Sequence, residues 1–136
     1  MSGITHLVDI MKIPRFVRVK QYFPHNELSE DEIKSVIAQN FSKPEFKDKI
    51  KPGQRICITS GSRGVSNIVV ITREIVNQVK ALGAEPFIIP AMGSHGGATA
   101  EGQKGILEGY GITEETMGCP IISSMETVKI GHAKEI

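Results

Sequence analysis

Apolar and polar residues follow two different periods along the chain, and the changes of period predict an order of elements. Continuous apolar runs at 55–59 (RICIT) and 86–90 (PFIIP) predict two buried strands. Between them, apolar residues recur on one helical face at Ile68, Ile71, Ile75, Val79 and Leu82. Gly83 is placed to end that helix, and a further helix is expected from its N-cap Thr99 to about Glu108. The order strand, helix, strand, helix predicts an α/β fold with a parallel sheet and flanking helices.

The flanking segments carry shorter patterns. Residues 16–21 (FVRVKQ) alternate between apolar and polar, which is typical of a half-buried or edge strand. Ser29 and Glu32 have the spacing of a capping box and predict a helix over about 29–40. Residues 121–122 and 128–130 are short strand candidates, and Tyr110 is expected to pack on the core rather than line the loop edge. We therefore expect an N-terminal strand and helix segment (1–50) and a βαβα core (51–136) within one domain.

Composition narrows the functional classes. A chain of 136 residues with 40% apolar side chains has room for one core, and a net charge of +1 argues against a nucleic-acid binder. No apolar run approaches the length of a membrane span, so we expect no membrane partner. Cys57 and Cys119 form no disulfide or zinc pattern; Cys57 is interpreted as a small buried hydrophobe, and a reducing cytoplasm is expected. His6, His25 and His132 lack partners at metal-ligand spacing and are expected at the surface, so no metal ligand is assigned.

The first glycine loop, residues 60–67, follows the first predicted strand. Open α/β sheets place ligands at this edge, where helix N-termini present free amides. Gly61 and Gly64 allow close backbone approach, Ser62 and Ser66 add hydroxyls, and Arg63 offers a planar fork for a carboxylate or phosphate. The alternative is a tight turn in which Ser66 caps the next helix and Arg63 is solvated. The loop matches neither common glycine-rich nucleotide motif.

The second glycine loop follows the second predicted strand and contains His95. Ser94 and the pair Gly96 and Gly97 flank this histidine, and an imidazole can donate or accept a proton at neutral pH. The alternative is a histidine that bonds only its own loop backbone. Together the loops suggest a carboxylate held by Arg63, with His95 facing its α-carbon for proton or hydride movement.

Both loop strings resemble the N-terminal part of the nickel-dependent lactate racemase superfamily, the nickel-pincer nucleotide enzymes. The first string is GSRG (61–64) and the second, longer and more specific, is PAMGSHGGATAEGQ (90–103). With GIT (111–113) and SSME (123–126) they fit best a lactate racemase-like branch of unassigned substrate. The resemblance covers roughly residues 51–131. It implies a Rossmann-like N-terminal domain of a two-domain enzyme, whose partner domain closes over the cofactor.

Carried over by position, the resemblance implies roles for individual residues. Arg63 matches the arginine that contacts the substrate carboxylate, and Ser94 with His95 matches a Thr-His pair. The histidine of that pair exchanges a proton with the substrate hydroxyl while hydride moves to and from the cofactor. Residues implied to border the cofactor are Ser62, Gly64, Ser66, Gly96 and Gly97. In racemases proper the loops read D-x-T-R-P and G-T-H-R-P, so Ser60 replaces an aspartate, Gly64 a proline and Gly96 an arginine. Lactate itself is therefore not assumed.

The family's second catalytic histidine, cofactor lysine and nickel-ligating histidine come later in its sequences, and no segment here matches them. We therefore expect an N-terminal fragment of an isomerase acting on a small 2-hydroxy acid or related carboxylate. Alone it would be inactive and bind no nickel-pincer nucleotide. Its expected partner is the C-terminal domain of the same protein, with oligomerisation left open. Two alternatives stand beside this: a stand-alone anion or phosphometabolite-binding module, and a purely structural or oligomerising domain.

Overall fold

A computed structural model describes residues 16–23 and 27–131. It is a mixed α/β structure in which helices flank a parallel sheet. In chain order, the elements are α1 (Glu30–Phe41), α2 (Pro44–Lys47), β1 (Arg55–Ser60), α3 (Ile68–Ala81), β2 (Glu85–Pro90), a 3₁₀ turn (His95–Ala98), α4 (Ala100–Gly109) and α5 (Glu114–Met117). The strand–helix–strand–helix order predicted from the apolar periods is confirmed.

The two strands pair in parallel along their whole length, with Ile58 opposite Ile88. Within the described residues, one further bridge joins Ile88 to Ile121, where the Ile122 amide donates to the Ile88 carbonyl at 2.8 Å. The strand predicted at 121–122 is therefore reduced to one bridge. The strand predicted at 128–130 is wrong: this stretch has no regular structure, because its apolar side chains find nothing to pack against and stay exposed.

One face of the sheet carries the core. The alternation of burial places Ile58 and Ile88 on the face that α3 and α4 contact. The buried cluster beneath these helices consists of Val76, Ile88, Met92, Leu107, Ile112, Met117, Cys119 and Ile121. Cys57 falls on the opposite face and is exposed, so its interpretation as a buried residue is wrong. The apolar run alone could not show this, because strand side chains alternate between faces whatever their chemistry.

Local capping sets the ends of the helices as predicted. The Ser29 and Glu32 side chains each bond the other residue's backbone amide, which begins α1 at Glu30. Gly83, with φ of +79°, follows the end of α3 in the left-handed conformation that glycine tolerates best. Thr99 caps α4 by accepting the Gly102 amide at 3.0 Å. The Thr99 cap fixes where the second glycine loop ends, and that loop carries part of the candidate site.

The segment 16–21 is not a strand, contrary to its alternating pattern. Phe16 is 95% exposed, and the rest of the segment is also exposed. An alternating pattern forms a strand only where a partner strand and a covering layer exist, and this segment has neither within the described residues. His6, His25 and His132 lie outside the described residues. In the described part of the chain, no helix has both the length and the apolar character needed to cross a membrane.

Candidate functional site

A cavity of about 370 Å³ lies where the two glycine loops meet at the carboxyl edge of the sheet. Both loops line it, which brings the sequence-predicted Arg63 and His95 to one cavity. Its remaining lining consists of Gly61, Ser62, Val65, Ile68, Ala91 and Met92. The wall is therefore largely apolar, with one guanidinium, one hydroxyl and one imidazole.

The first loop leaves β1 as a turn that exposes Arg63. The Ser60 carbonyl accepts the Ala91 amide at 2.8 Å, which joins the starts of the two loops beyond the sheet. The Val65 amide then donates to the Arg63 carbonyl at 2.7 Å and closes the turn. Asn67, not Ser66, is the N-cap of α3; it has a left-handed φ of +60° and its side chain makes no capping hydrogen bond. Of the alternative for this loop, the Ser66 cap is wrong, whereas the tight turn and the exposed Arg63 are what the structure shows.

The second loop is held by the helix that follows it. Gly96 has a φ of +64°, and a Cβ added there would lie 2.6 Å from the Gln103 amide nitrogen of α4. The Gln103 side chain, itself buried, donates from Nε2 to the Gly93 carbonyl at 2.7 Å. Two separate contacts to α4 thus fix the backbone on both sides of His95.

Two hydrogen bonds at Ser62 join the first loop to the second loop and to the end of α4. Ser62 Oγ is bonded to His95 Nδ1. The Tyr110 hydroxyl, at the end of α4, donates to the Ser62 carbonyl at 2.6 Å. Tyr110 is 37% exposed, so the expectation that it packs on the core is wrong. The alternative for His95, in which the ring bonds only its own loop backbone, is also not what the structure shows.

The other predicted site residues, apart from Ser62, do not line the Arg63 cavity. Ser66 lines a separate cavity of about 500 Å³ between α1 and α3, together with Asn67 and Ile71. Four further residues assigned to the site also do not line the Arg63 cavity: Ser94, Gly64, Gly96 and Gly97. Gly96 has a packing function against α4, whereas a Cβ at Gly97 would meet no atom within 4 Å. Their cofactor or substrate contacts stay predictions.

Arg63 contributes a positive charge to the lining of the cavity, and no acidic side chain of the described residues lines it. Burial raises the pKa of the Cys119 thiol, and hydrogen bonds from Ser29 lower the pKa of Glu32. Neither group lines the cavity. Ser60 Oγ, in a residue only 4% exposed, has no hydrogen-bond partner among the residues that the structure describes. Among residues 16–23 and 27–131, no three His, Cys, Asp or Glu side chains are grouped closely enough to hold a metal ion.

Sequence reasoning missed the supports of the site: Gly102, Gln103 and Tyr110. A signal existed for Gly102, because a glycine in the first turns of a helix lowers helix propensity and often marks a close backbone approach. A Cβ on Gly102 would lie 2.7 Å from the Gly96 carbonyl carbon, so the two glycines form one contact. Gln103 and Tyr110 have no comparable signal, since both residue types are common on helix surfaces.

Comparison of the chain with protein-family models, with curated proteins and with solved structures finds no match. The fold and the site define the class of molecule: an α/β protein with a cavity at the carboxyl edge of its parallel strands. The lining of that cavity includes a guanidinium, a group type that binds carboxylates and phosphates, and an imidazole, a group type that can exchange a proton.

Proposed function

We propose that this chain supplies the carboxylate-binding and proton-exchanging part of a lactate racemase-like isomerase that acts on a small 2-hydroxy acid. The observation that carries the proposal is the shared cavity of Arg63 and His95, which come from different loops. The parallel β1–β2 pair, its extension at Ile121 and the intervening helices support a Rossmann-like domain of such an enzyme.

The lining of the cavity suits a small carboxylic acid. Its volume of about 370 Å³ is near the lower end of ligand pockets, which are typically about 300–1,000 Å³. Arg63 would hold the carboxylate through its planar pair of donors, and Val65 and Met92 would face the carbon chain. His95 would take the proton of the substrate hydroxyl on Nε2 and return it, since Nδ1 is occupied by Ser62.

The resemblance places the lysine and the histidine that would hold the nickel-pincer nucleotide later in the family's sequences, so the hydride chemistry of that group is not assigned to the described residues. His95 has one ring nitrogen bonded to Ser62, and no group of three metal-ligating side chains includes it in the described part of the chain. We therefore derive no step through that group. In this proposal the residues described here bind the acid, orient it and hold its hydroxyl proton.

The test is a titration of the isotope-labelled chain with D-lactate, L-lactate and inorganic phosphate, followed by amide chemical shifts. Lactate should shift the amides of Ser62, Arg63 and His95. Arg63→Ala should weaken lactate binding at least about tenfold, because a hydrogen bond to a charged group contributes about 1.5–3 kcal/mol. Arg18→Ala removes the same charge from an exposed position away from the cavity and should leave binding unchanged.

A specific observation also favours the anion-binding module. The N-terminus of α3 begins at a residue whose side chain makes no capping hydrogen bond, close in sequence to Arg63. Phosphate bound more tightly than lactate, with an affinity insensitive to His95→Ala, would favour that module over the isomerase. Lactate affinity unaffected by Arg63→Ala would contradict the proposed function.

A further inference from the structure

Three parts of the chain meet at Ser62. Its hydroxyl is bonded to His95 Nδ1, and its carbonyl accepts the Tyr110 hydroxyl at 2.6 Å. Ser62 lies in the first loop, His95 in the second and Tyr110 at the end of α4. Ser62 is thus fixed at both its side chain and its backbone, and it is only partly exposed.

The bond assigns different tasks to the two nitrogens of the imidazole. Nδ1 is engaged by Ser62, and therefore Nε2 is the nitrogen left for a ligand in the cavity that His95 lines. A histidine that gains and loses a proton at Nε2 keeps Nδ1–H in both states. A hydroxyl oxygen can accept that Nδ1–H bond throughout, because it has acceptor lone pairs beside its own proton.

We propose that Ser62 is the positioning residue of His95: its Oγ accepts the Nδ1–H bond, and this holds neutral His95 in the tautomer with Nε2 free to accept a proton. Tyr110 supports this arrangement by fixing the Ser62 backbone. The resemblance assigned Ser62 to the cofactor, whereas these contacts give it a task toward the histidine. The inference rests on the proposed function for its purpose, but the tautomer exists without any substrate.

The bond from Nδ1–H to Ser62 can persist while a proton is exchanged at Nε2. When a bound acid gives its hydroxyl proton to Nε2, the ring becomes an imidazolium with protons on both nitrogens. The Nδ1–H bond to Ser62 is unchanged in that step, so no side chain has to rotate. The reverse transfer returns the Nε2 proton to the acid oxygen and restores the same neutral tautomer. Ser62 thus accepts a hydrogen bond throughout and does not itself transfer a proton.

The test is the tautomer of neutral His95, measured from its ring nitrogen shifts in long-range proton–nitrogen correlation spectra of the full chain. The expected result is a predominantly Nδ1-protonated ring in the unsubstituted protein and in Ser62→Thr, which keeps the hydroxyl. In Ser62→Ala the ring should change to the tautomer mixture of free N-acetylhistidine. Tyr110→Phe should shift the populations in the same direction by a smaller amount.

A predominantly Nε2-protonated ring in the unsubstituted protein would overturn the inference without any variant. Equal tautomer populations in Ser62→Ala and the unsubstituted protein would overturn it as well. Failure of lactate and of other small 2-hydroxy acids to bind, with the tautomer as expected, would instead contradict the proposed function and leave the role of Ser62 intact. The two proposals are therefore separable by two measurements on the same samples.

Discussion

The two glycine loops occupy equivalent places at the ends of β1 and β2, but they are built differently. In the second loop Gly96 has a left-handed backbone and lies against the α4 backbone. In the first loop Gly64 does not have a positive φ, and a Cβ there would meet no atom within 4 Å. The second loop is therefore closely packed against a helix at Gly96, whereas the first loop is held by hydrogen bonds at Ser62 and has open space at Gly64.

This difference separates the two tasks proposed for the cavity. A proton-exchanging group needs its ring held in one orientation, and the loop of His95 is the one anchored to α4 through Gly96 and Gln103. An anion-binding side chain can adjust to its ligand, and Arg63 stands exposed on the less constrained loop. The contact between Ser62 and His95 couples the constrained loop to the adjustable one.

The strongest test of this comparison is Gly96→Ala. The substitution combines a left-handed backbone with overlap against Gln103, and it should lower the free energy of unfolding by about 2–5 kcal/mol. Gly97→Ala is the matched control: Gly97 also has a positive φ, of +68°, but open space around it, so only the strain of about 1–2 kcal/mol applies. Denaturant unfolding measures both, and equal losses would show that α4 does not constrain the loop.

An intermediate effect is expected when the side-chain anchor is removed. Gln103→Met keeps most of the buried volume but removes the donor to the Gly93 carbonyl, which should lower the free energy of unfolding by about 1–2 kcal/mol. Gln39→Met in α1 removes an exposed contact to Ser35 and should change stability little. Amide exchange in 93–97 should rise in the Gln103 variant alone; unchanged exchange there would argue against the anchor.

The smallest expected effect has the opposite sign. Gly64→Ala adds a side chain to open space at a backbone conformation without positive φ, and it narrows the unfolded ensemble. It should therefore raise the free energy of unfolding by about 0.4–1 kcal/mol, with the midpoint of denaturant unfolding as the measurement. A loss comparable with that of Gly96→Ala would mean that the first loop is as tightly constrained as the second.

The sequence predicted those elements whose local signals agree with their packing. The apolar runs of β1 and β2, the periodic face of α3 and the caps at Ser29 and Thr99 all appear in the structure. The pattern at 16–21 failed because strand formation depends on a partner that the segment itself does not specify. The prediction that Cys57 is buried failed because a continuous apolar run does not show which residues face outward.

The site was predictable in its chemistry but not in its connections. Glycine, arginine and histidine at the ends of two strands indicated one shared cavity, and Arg63 and His95 do line one. The link from Ser62 to His95 and the support from Tyr110 join residues far apart in sequence, and no local pattern encodes such a meeting. Ser66 could not be placed from the sequence either. The helix begins after Asn67 rather than after Ser66, and Ser66 lines the cavity between α1 and α3 instead.

The parallel pairing of β1 with β2 also determines the order in which parts of the chain can form. Antiparallel strands can begin from a tight hairpin, but these strands can meet only after the chain has closed a loop that contains the whole of α3. Helical contacts are local and can form before that closure, whereas the sheet cannot. The edge that brings Arg63 and His95 together is therefore assembled by a long-range folding step, although each of its loops is short.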